Sequence, residues 1–373
     1  MNNKCTSLYL HFPFCRHLCN YCDFFKHKLE SSDQITAFEN KLLEQWHALS
    51  RLNSEHSVDI PFLETFYIGG GTPSLWGEAG VRFVRENILN TLSFSDSYEF
   101  TLEVDPDAWD ENTLAQWFEI GVNRVSIGAQ AFDDQVLAVL DRSHRKKHII
   151  ALVSFLQKRN INTSVDLLIG APQLMKRNTL EECRQLIDLA PQHFSVYILK
   201  TRKNYPHNEF MPEDEVAEEY LDVVQLLKAS GYHQYEISNF AQTDYESRHN
   251  LKYWKAENVA AIGPNATGAI YQSNGLLRYQ WKNIATGFSS EQVEGESLIL
   301  ERLFLGLRTR EGLKVDEIFP KTYEKAIWTE LYEQWQTRGY LSQLSTPQVM
   351  VLSPKGMLMS DSIVDDIFRK KLL

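Results

Sequence analysis

The sequence predicts an α/β fold of parallel strands joined by right-handed crossovers, followed by a small α+β unit. Two observations carry this. Over the first 240 residues, six short apolar runs alternate with amphipathic stretches of helical period. From Glu291 onward the order changes to helices, then two short strands joined by Ser345-Thr346-Pro347, then a last helix opened by Pro354.

Strands are expected at Ser7–His11, Glu64–Ile68, Tyr98–Val104, Arg124–Gly128, Thr163–Ile169 and Phe194–Leu199. Helices are expected at Gln34–Leu52, Ala79–Leu92, Asn112–Ile120, Gln135–Leu140, His148–Lys158, Leu180–Leu189 and Glu213–Ala229. In the last of these, Val216, Tyr220, Val223, Val224 and Leu227 form one apolar stripe. Such alternation implies a parallel sheet, and composition does not choose between an open sheet and a barrel. Ser238–Leu277 is rich in Asn, Tyr, Trp and Gly and alternates poorly. Beyond it, a helix from near Glu291 through Leu307, another around Tyr323–Gln336, and a hairpin of Tyr340–Leu344 with Val349–Leu352 suggest a winged-helix-like appendage. The expected division is 1–240, a connecting segment 241–290, and 291–373.

The net charge of −11 argues against a nucleic-acid partner, because that affinity rests on neutralising phosphates. It favours a packing or lid role for the appendage. The basic stretch Arg142, Arg145, Lys146 and Lys147 reads as a solvated helix face. Met1–Lys4 runs straight into Cys5 and a strand without a signal-peptide pattern. No window approaches the roughly 18 apolar residues of a membrane span. A cytoplasmic location is the expectation.

Three of the five cysteines lie within eight residues, which favours metal over disulfide chemistry. Cys183 sits in a helical pattern and reads as a small buried hydrophobe. Cys5 has no evident partner. Cys15, Cys19 and Cys22 form C-x3-C-x2-C directly after the first strand. Three thiolates from one loop can hold three corners of a cubane and leave the fourth iron open, whereas most electron-transfer clusters are closed by four cysteines. The same cysteines with His11, His17 or Cys5 could instead make tetrahedral zinc, although structural zinc usually uses two cysteine pairs and no second pair exists. Gly69, Gly70 and Gly71 after the second strand either let backbone approach a ligand or merely make a tight turn.

The cysteine loop, with Tyr67-Ile68-Gly69-Gly70-Gly71-Thr72-Pro73-Ser74 downstream, resembles the radical S-adenosylmethionine (SAM) superfamily. Leu102-Glu103-Val104-Asp105-Pro106, Arg124-Val125-Ser126-Ile127-Gly128-Ala129-Gln130, Val165-Asp166-Leu167-Leu168-Ile169-Gly170 and Tyr235-Glu236-Ile237-Ser238-Asn239-Phe240 are similar to its oxygen-independent coproporphyrinogen III oxidase-like branch, over nearly the whole chain. The resemblance implies a partial (β/α)6 TIM-like barrel with a C-terminal domain over its open side. It implies a [4Fe–4S] cluster on Cys15, Cys19 and Cys22. It also implies SAM contacts at Tyr9, Gly70, Gly71, Thr72, Glu103, Gln130, Arg142 and Asp166. Most of these sit at predicted strand ends, where parallel α/β folds place their sites. Arg142 lies past a helix and rests on likeness alone.

That branch holds both decarboxylating oxidases and heme chaperones. The oxidases carry a fourth cysteine where Phe24 stands, and a long N-terminal extension, whereas Cys15 here comes almost at once. His249-Asn250-Leu251-Lys252-Tyr253-Trp254 matches the H-N-x-x-Y-W motif of the chaperones. On a helix His249 and Tyr253 share a face, as do Asn250 and Trp254. His and Tyr are heme-iron ligands elsewhere, yet an aromatic segment could equally pack the two units together. The expectation is a heme chaperone that binds cluster, SAM and heme and passes heme to recipient, respiratory proteins. The alternatives are a coproporphyrinogen III oxidase and a zinc-stabilised scaffold. Thr267 stands where the family expects histidine, and Leu199-Lys200-Thr201-Arg202 replaces an acidic, proline-containing stretch. The sequence leaves open a homodimer and, where recipients are membrane complexes, peripheral membrane association, although no segment encodes the latter.

Overall fold

A computed structural model describes residues 4–171, 177–199, 211–273, 275–282, 287–319 and 325–370. β1 (Ser7–Phe12) leads into a two-residue strand β2 (Phe14–Cys15). β2 pairs with β3 (His27–Lys28) and so closes the cysteine loop at its base. β4 (Leu63–Gly70), β5 (Phe94–Val104), β6 (Arg124–Gln130), β7 (Asn162–Ile169) and β8 (His193–Ile198) then follow, each parallel to the one before. β1 pairs with β4, so the six strands stand side by side in chain order. A doubly wound sheet reverses its order at a switch point; this one does not, which is the order a barrel requires.

Period-two alternation decides which face is which. Leu8, Leu10, Phe66, Ile68, Phe100, Leu102, Val125, Ile127, Val165, Leu167, Phe194 and Val196 all join one core. That core is completed by α1 (Ser32–Glu55), α2 (Gly77–Val84), α3 (Glu111–Glu119), α5 (Lys146–Gln157), α6 (Thr179–Asp188) and α7 (Glu213–Ala229), with the short α4 (Asp134–Val139) packed on a smaller cluster. The other face of the same strands is polar. Thr65, Tyr67, Thr101, Glu103, Arg124, Ser126, Ser164, Asp166 and Ser195 occupy it, and cross-strand bonds such as Ser126 Oγ to Asp166 at 3.3 Å link it. In α7 the expected stripe is buried at Tyr220, Val223, Val224 and Leu227.

The poorly alternating segment is part of this first unit. β9 (His233–Gln234) and β10 (Asn239–Ala241) continue the sheet beyond β8 as antiparallel strands. After α8 (Arg248–Trp254), β11 (Ala260–Ile262) pairs in parallel with β1 on the opposite edge. Among the described residues the sheet is therefore nine-stranded, and its terminal strands β9 and β11 do not pair, so the barrel is open. β12 (Thr267–Tyr271), β13 (Gly275–Trp281) and β14 (Phe288–Glu294) form a separate antiparallel sheet whose Tyr279 and Trp281 enter the main core.

The helix expected from near Glu291 starts only at Gly295 (α9, Gly295–Leu307), because Glu291 pairs with Arg278 as strand. A second core gathers α9, β15 (Leu313–Lys314), α10 (Val315–Ile318), α11 (Lys325–Thr337), β16 (Val349–Met350), α12 (Pro354–Leu358) and α13 (Ser360–Arg369). The expected hairpin is reduced to a single bridge, Leu341 with Leu352; β16 pairs instead with β15. No helix among the described residues is long and apolar enough to cross a membrane.

Candidate functional site at the strand ends

The carboxyl ends of β4 to β8 and the cysteine loop enclose a cavity of about 560 Å³. Cys15, Cys19 and Cys22 all line it, and all are free thiols. The loop is tied down at several points. His27 N donates to Pro13 O at 2.7 Å and Leu29 N to Cys15 O at 2.9 Å. Lys26 Nζ donates to Cys22 O at 2.6 Å, and His11 joins Phe25 O at 2.9 Å. Burial pushes the Cys15 and Cys19 thiols up, which Thr72 and Arg142 respectively oppose. Metal ligation must therefore displace protons.

The residues fit a cluster better than a single ion. Among the described residues no three His, Cys, Asp or Glu side chains converge as a mononuclear site would demand. The fourth ligands that zinc would need are engaged elsewhere. His11 bonds Tyr9 and Phe25, His17 pairs with Asp141 at 3.0 Å, and Cys5 is buried in the core with its thiol on Ser7 O. Thiolates that cap separate irons need not meet at one point.

Of the expected SAM residues, Gly70, Gly71, Thr72, Glu103, Gln130, Arg142 and Asp166 line this same cavity. Gly70 N donates to Glu103 at 2.9 Å, and burial raises Glu103 to about 7 against the hydrogen bond from Tyr67. Asp166 is raised to about 6, again by burial, and is held by Ser195 and Ser126. Gln130 adopts a left-handed φ of 67° where the β6–β7 register slips, a bulge that re-aims the strand end. Tyr9 stands apart from the cavity, its hydroxyl 3.0 Å from His11 Nδ1.

The glycines answer to the protein itself. A Cβ on Gly71 would lie 2.5 Å from the Phe14 carbonyl oxygen, and one on Gly70 2.6 Å from His11. Gly71 N and Thr72 N donate to Phe12 O and Phe14 O at 2.7 and 2.8 Å. The three-glycine turn is thus the seat of the cysteine loop. The basic stretch is no solvated face: Arg142 is only 12% exposed, Lys146 lies 4.4 Å over the Phe132 ring, and Lys147 alone of the four is exposed. Burying Arg142 is tolerated because Asp105 pairs with it. Asp105, Tyr67, Arg124 and Tyr197 line the cavity too. Sequence reasoning missed them, although their period-two alternation with apolar neighbours was a usable signal.

The H-N-x-x-Y-W residues divide. His249 is 2% exposed, its Nδ1 2.9 Å from Thr65 Oγ1, and its Nε2 is buried without a partner. Burial lowers it to about 3. Asn250 faces the cysteine cavity. Tyr253 opens on a smaller pocket of about 340 Å³ with Tyr9, His11, Phe24, Phe25 and Thr267. Trp254 is half-buried. Lys200, Thr201 and Arg202 lie outside the described residues.

The model of the radical SAM superfamily matches residues 9–190. The heme chaperone HemW of Bacillus subtilis is 34% identical over 370 residues, covering 90% of this chain and 95% of its own length. The mitochondrial radical S-adenosyl methionine domain-containing protein 1 of Danio rerio is 33% identical, covering 97% and 86%. Coproporphyrinogen III oxidase (HemN) of Escherichia coli shares the fold, with a TM-score of 0.76 at 18% identity over 96% of this chain and 89% of that one. The chain belongs to the radical SAM superfamily and, within it, to the family of the heme chaperone HemW.

Proposed function

We propose that the chain holds a [4Fe–4S] cluster on Cys15, Cys19 and Cys22, binds SAM beside it, and carries heme to recipient proteins in the cytoplasm, respiratory ones among them. The observation that carries the reading is the single cavity shared by three thiols and the strand-end residues Gly70, Gly71, Thr72, Glu103, Gln130, Arg142 and Asp166. When bound, a reduced cluster supplies the electron that cleaves the sulfonium C–S bond of SAM. The chain's own part is orientation. Ionised Glu103 and Asp166 are placed to accept hydroxyl groups, and bare backbone at Gly70 and Gly71 admits the amino-acid end of the ligand. The apolar helix layer behind the strands keeps water from the back of the site.

For chaperone over oxidase, the position of the oxidases' fourth cysteine holds Phe24, 69% exposed, while Cys5 and Cys183 are buried in the core. Within the heme motif, Tyr253 is the accessible ligand candidate and His249 is enclosed.

The test is one anaerobic reaction of reconstituted protein with SAM, dithionite and coproporphyrinogen III, together with a heme titration read at the Soret band. Deoxyadenosine and protoporphyrinogen are measured in the same tube. Saturable heme binding without porphyrinogen turnover supports the chaperone reading. Accumulating protoporphyrinogen replaces it with the oxidase.

A further inference from the structure

Arg142 lies in the turn after α4, where sequence alone offers no reason for it to meet the cysteines. Its backbone N–H donates to Leu137 O at 2.9 Å, and Arg145 Nη1 donates to its carbonyl at 2.8 Å, so the turn is held at both ends. Buried His144 adds a bond to Ala129 O at 3.0 Å. The guanidinium is anchored as well: Nη2 donates to the Asp105 carboxylate and to Gly128 O, the latter at 3.0 Å. With one nitrogen fixed by two acceptors in a planar group, the direction of the other is set. Nη1 points at Cys19 Sγ, 3.6 Å away.

We infer that Arg142 is a hydrogen-bond donor to the Cys19 sulfur and that this contact stabilises the reduced cluster. The inference rests on the reading that Cys15, Cys19 and Cys22 hold that cluster. One electron added by an external reductant makes the cluster and its thiolates more negative. An N–H aimed at a ligand sulfur favours that state, and such bonds are among the terms that set cluster potentials. Asp105 cancels part of the long-range charge of the guanidinium but not the directed N–H. A titration run without SAM separates this contact from any part Arg142 plays in holding SAM.

The experiment is a potentiometric titration followed by EPR, on full-length reconstituted protein without SAM. Wild type is compared with Arg142→Met and Asp105→Asn at matched iron content. At the potential where wild type is half reduced, Arg142→Met should show a reduced-to-oxidised ratio lower by about three- to tenfold. Asp105→Asn should shift the midpoint the other way, since Arg142 loses its counter-charge while Gly128 O still orients it. An unchanged midpoint in Arg142→Met overturns the inference, whatever Asp105→Asn does. If Arg142→Met fails to load cluster, Arg142→Lys takes its place: it keeps the charge but loses the fixed planar N–H, so a midpoint below that of wild type supports the contact and an unchanged one overturns it. A wild type with no [4Fe–4S] signal is a different failure, that of the cluster reading itself.

Discussion

Tyr67 on β4 donates its hydroxyl proton to Glu103 on β5 at 2.8 Å, and the second carboxylate oxygen of Glu103 accepts the Gly70 N–H at 2.9 Å. One side chain thus ties two strand ends and the glycine turn together beneath the cysteine loop.

Burial raises Glu103 to about 7, and the Tyr67 hydrogen bond opposes that rise. The carboxyl is protonated below its raised pKa and ionised above it. If its ionised form accepts ligand hydroxyls, SAM affinity should increase from pH 6 to pH 8. Tyr67→Phe should displace the profile to higher pH and weaken binding at pH 7 by about 1–2 kcal/mol. Calorimetric titration at several pH values checks this; a flat profile for wild type would count against it.

Glu236 is fully buried, with one carboxylate oxygen unpartnered, and burial raises it from 4.5 to about 7. Below pH 4.5 it is neutral in both folded and unfolded chains and costs nothing. As pH rises toward 7 the unfolded chain ionises first, so stability is lost across that window, by on the order of 3 kcal/mol in full. Glu236→Gln should therefore raise the melting temperature at pH 8 and change it little at pH 4.5. Equal shifts at both pH values would refute the assignment.

Gly71→Ala places a Cβ 2.5 Å from the Phe14 carbonyl oxygen and 2.9 Å from its carbonyl carbon, both backbone atoms that cannot swing away. The cysteine loop must shift instead. We expect a destabilisation of about 1–3 kcal/mol and a lower iron-to-protein ratio after reconstitution. Wild-type iron content in this variant would show that the seat is not tight.

His249 supports the barrel interior, with its ring 5.3 Å from that of Tyr67 and 5.5 Å from that of Tyr253. His249→Ala should cost about 2–3 kcal/mol of stability, while the folded fraction keeps its heme Soret band. Tyr253→Phe should alter that band with little loss of stability. A Soret band lost in His249→Ala at unchanged melting temperature would place His249 on the iron.

Much of this site was readable in advance because its signals are local. C-x3-C-x2-C lies within one loop, and the strand-end residues of β4 to β7 sit within or beside runs recognisable by length and apolarity. The inward polar set was equally present in the alternation of Tyr67, Glu103, Ser126 and Asp166 with apolar neighbours, although family likeness, not that alternation, brings Glu103 and Asp166 into the expected site. Arg142 misled a reading by charge, since four nearby cations suggest solvent and nothing local shows that Asp105 waits for one of them. The C-terminal hairpin was legible only in part, for a related reason. Val349–Met350 had two strands within reach, and the choice of Leu313–Lys314 depends on the packing of α9 and α11 around it.

By itself the sequence determined the order of strands and helices, the three-thiol loop and the glycine turn that seats it, because spacing and period act along the chain. Only the tertiary structure decided that the sheet curls into an open barrel and that β11 returns to pair with β1. It also decided that His249 is sealed against Thr65, and that Arg142 reaches a sulfur 123 residues away. These depend on which strand edges remain free once the helices have covered the outer face, and on which side chains the closed polar interior then forces to satisfy one another.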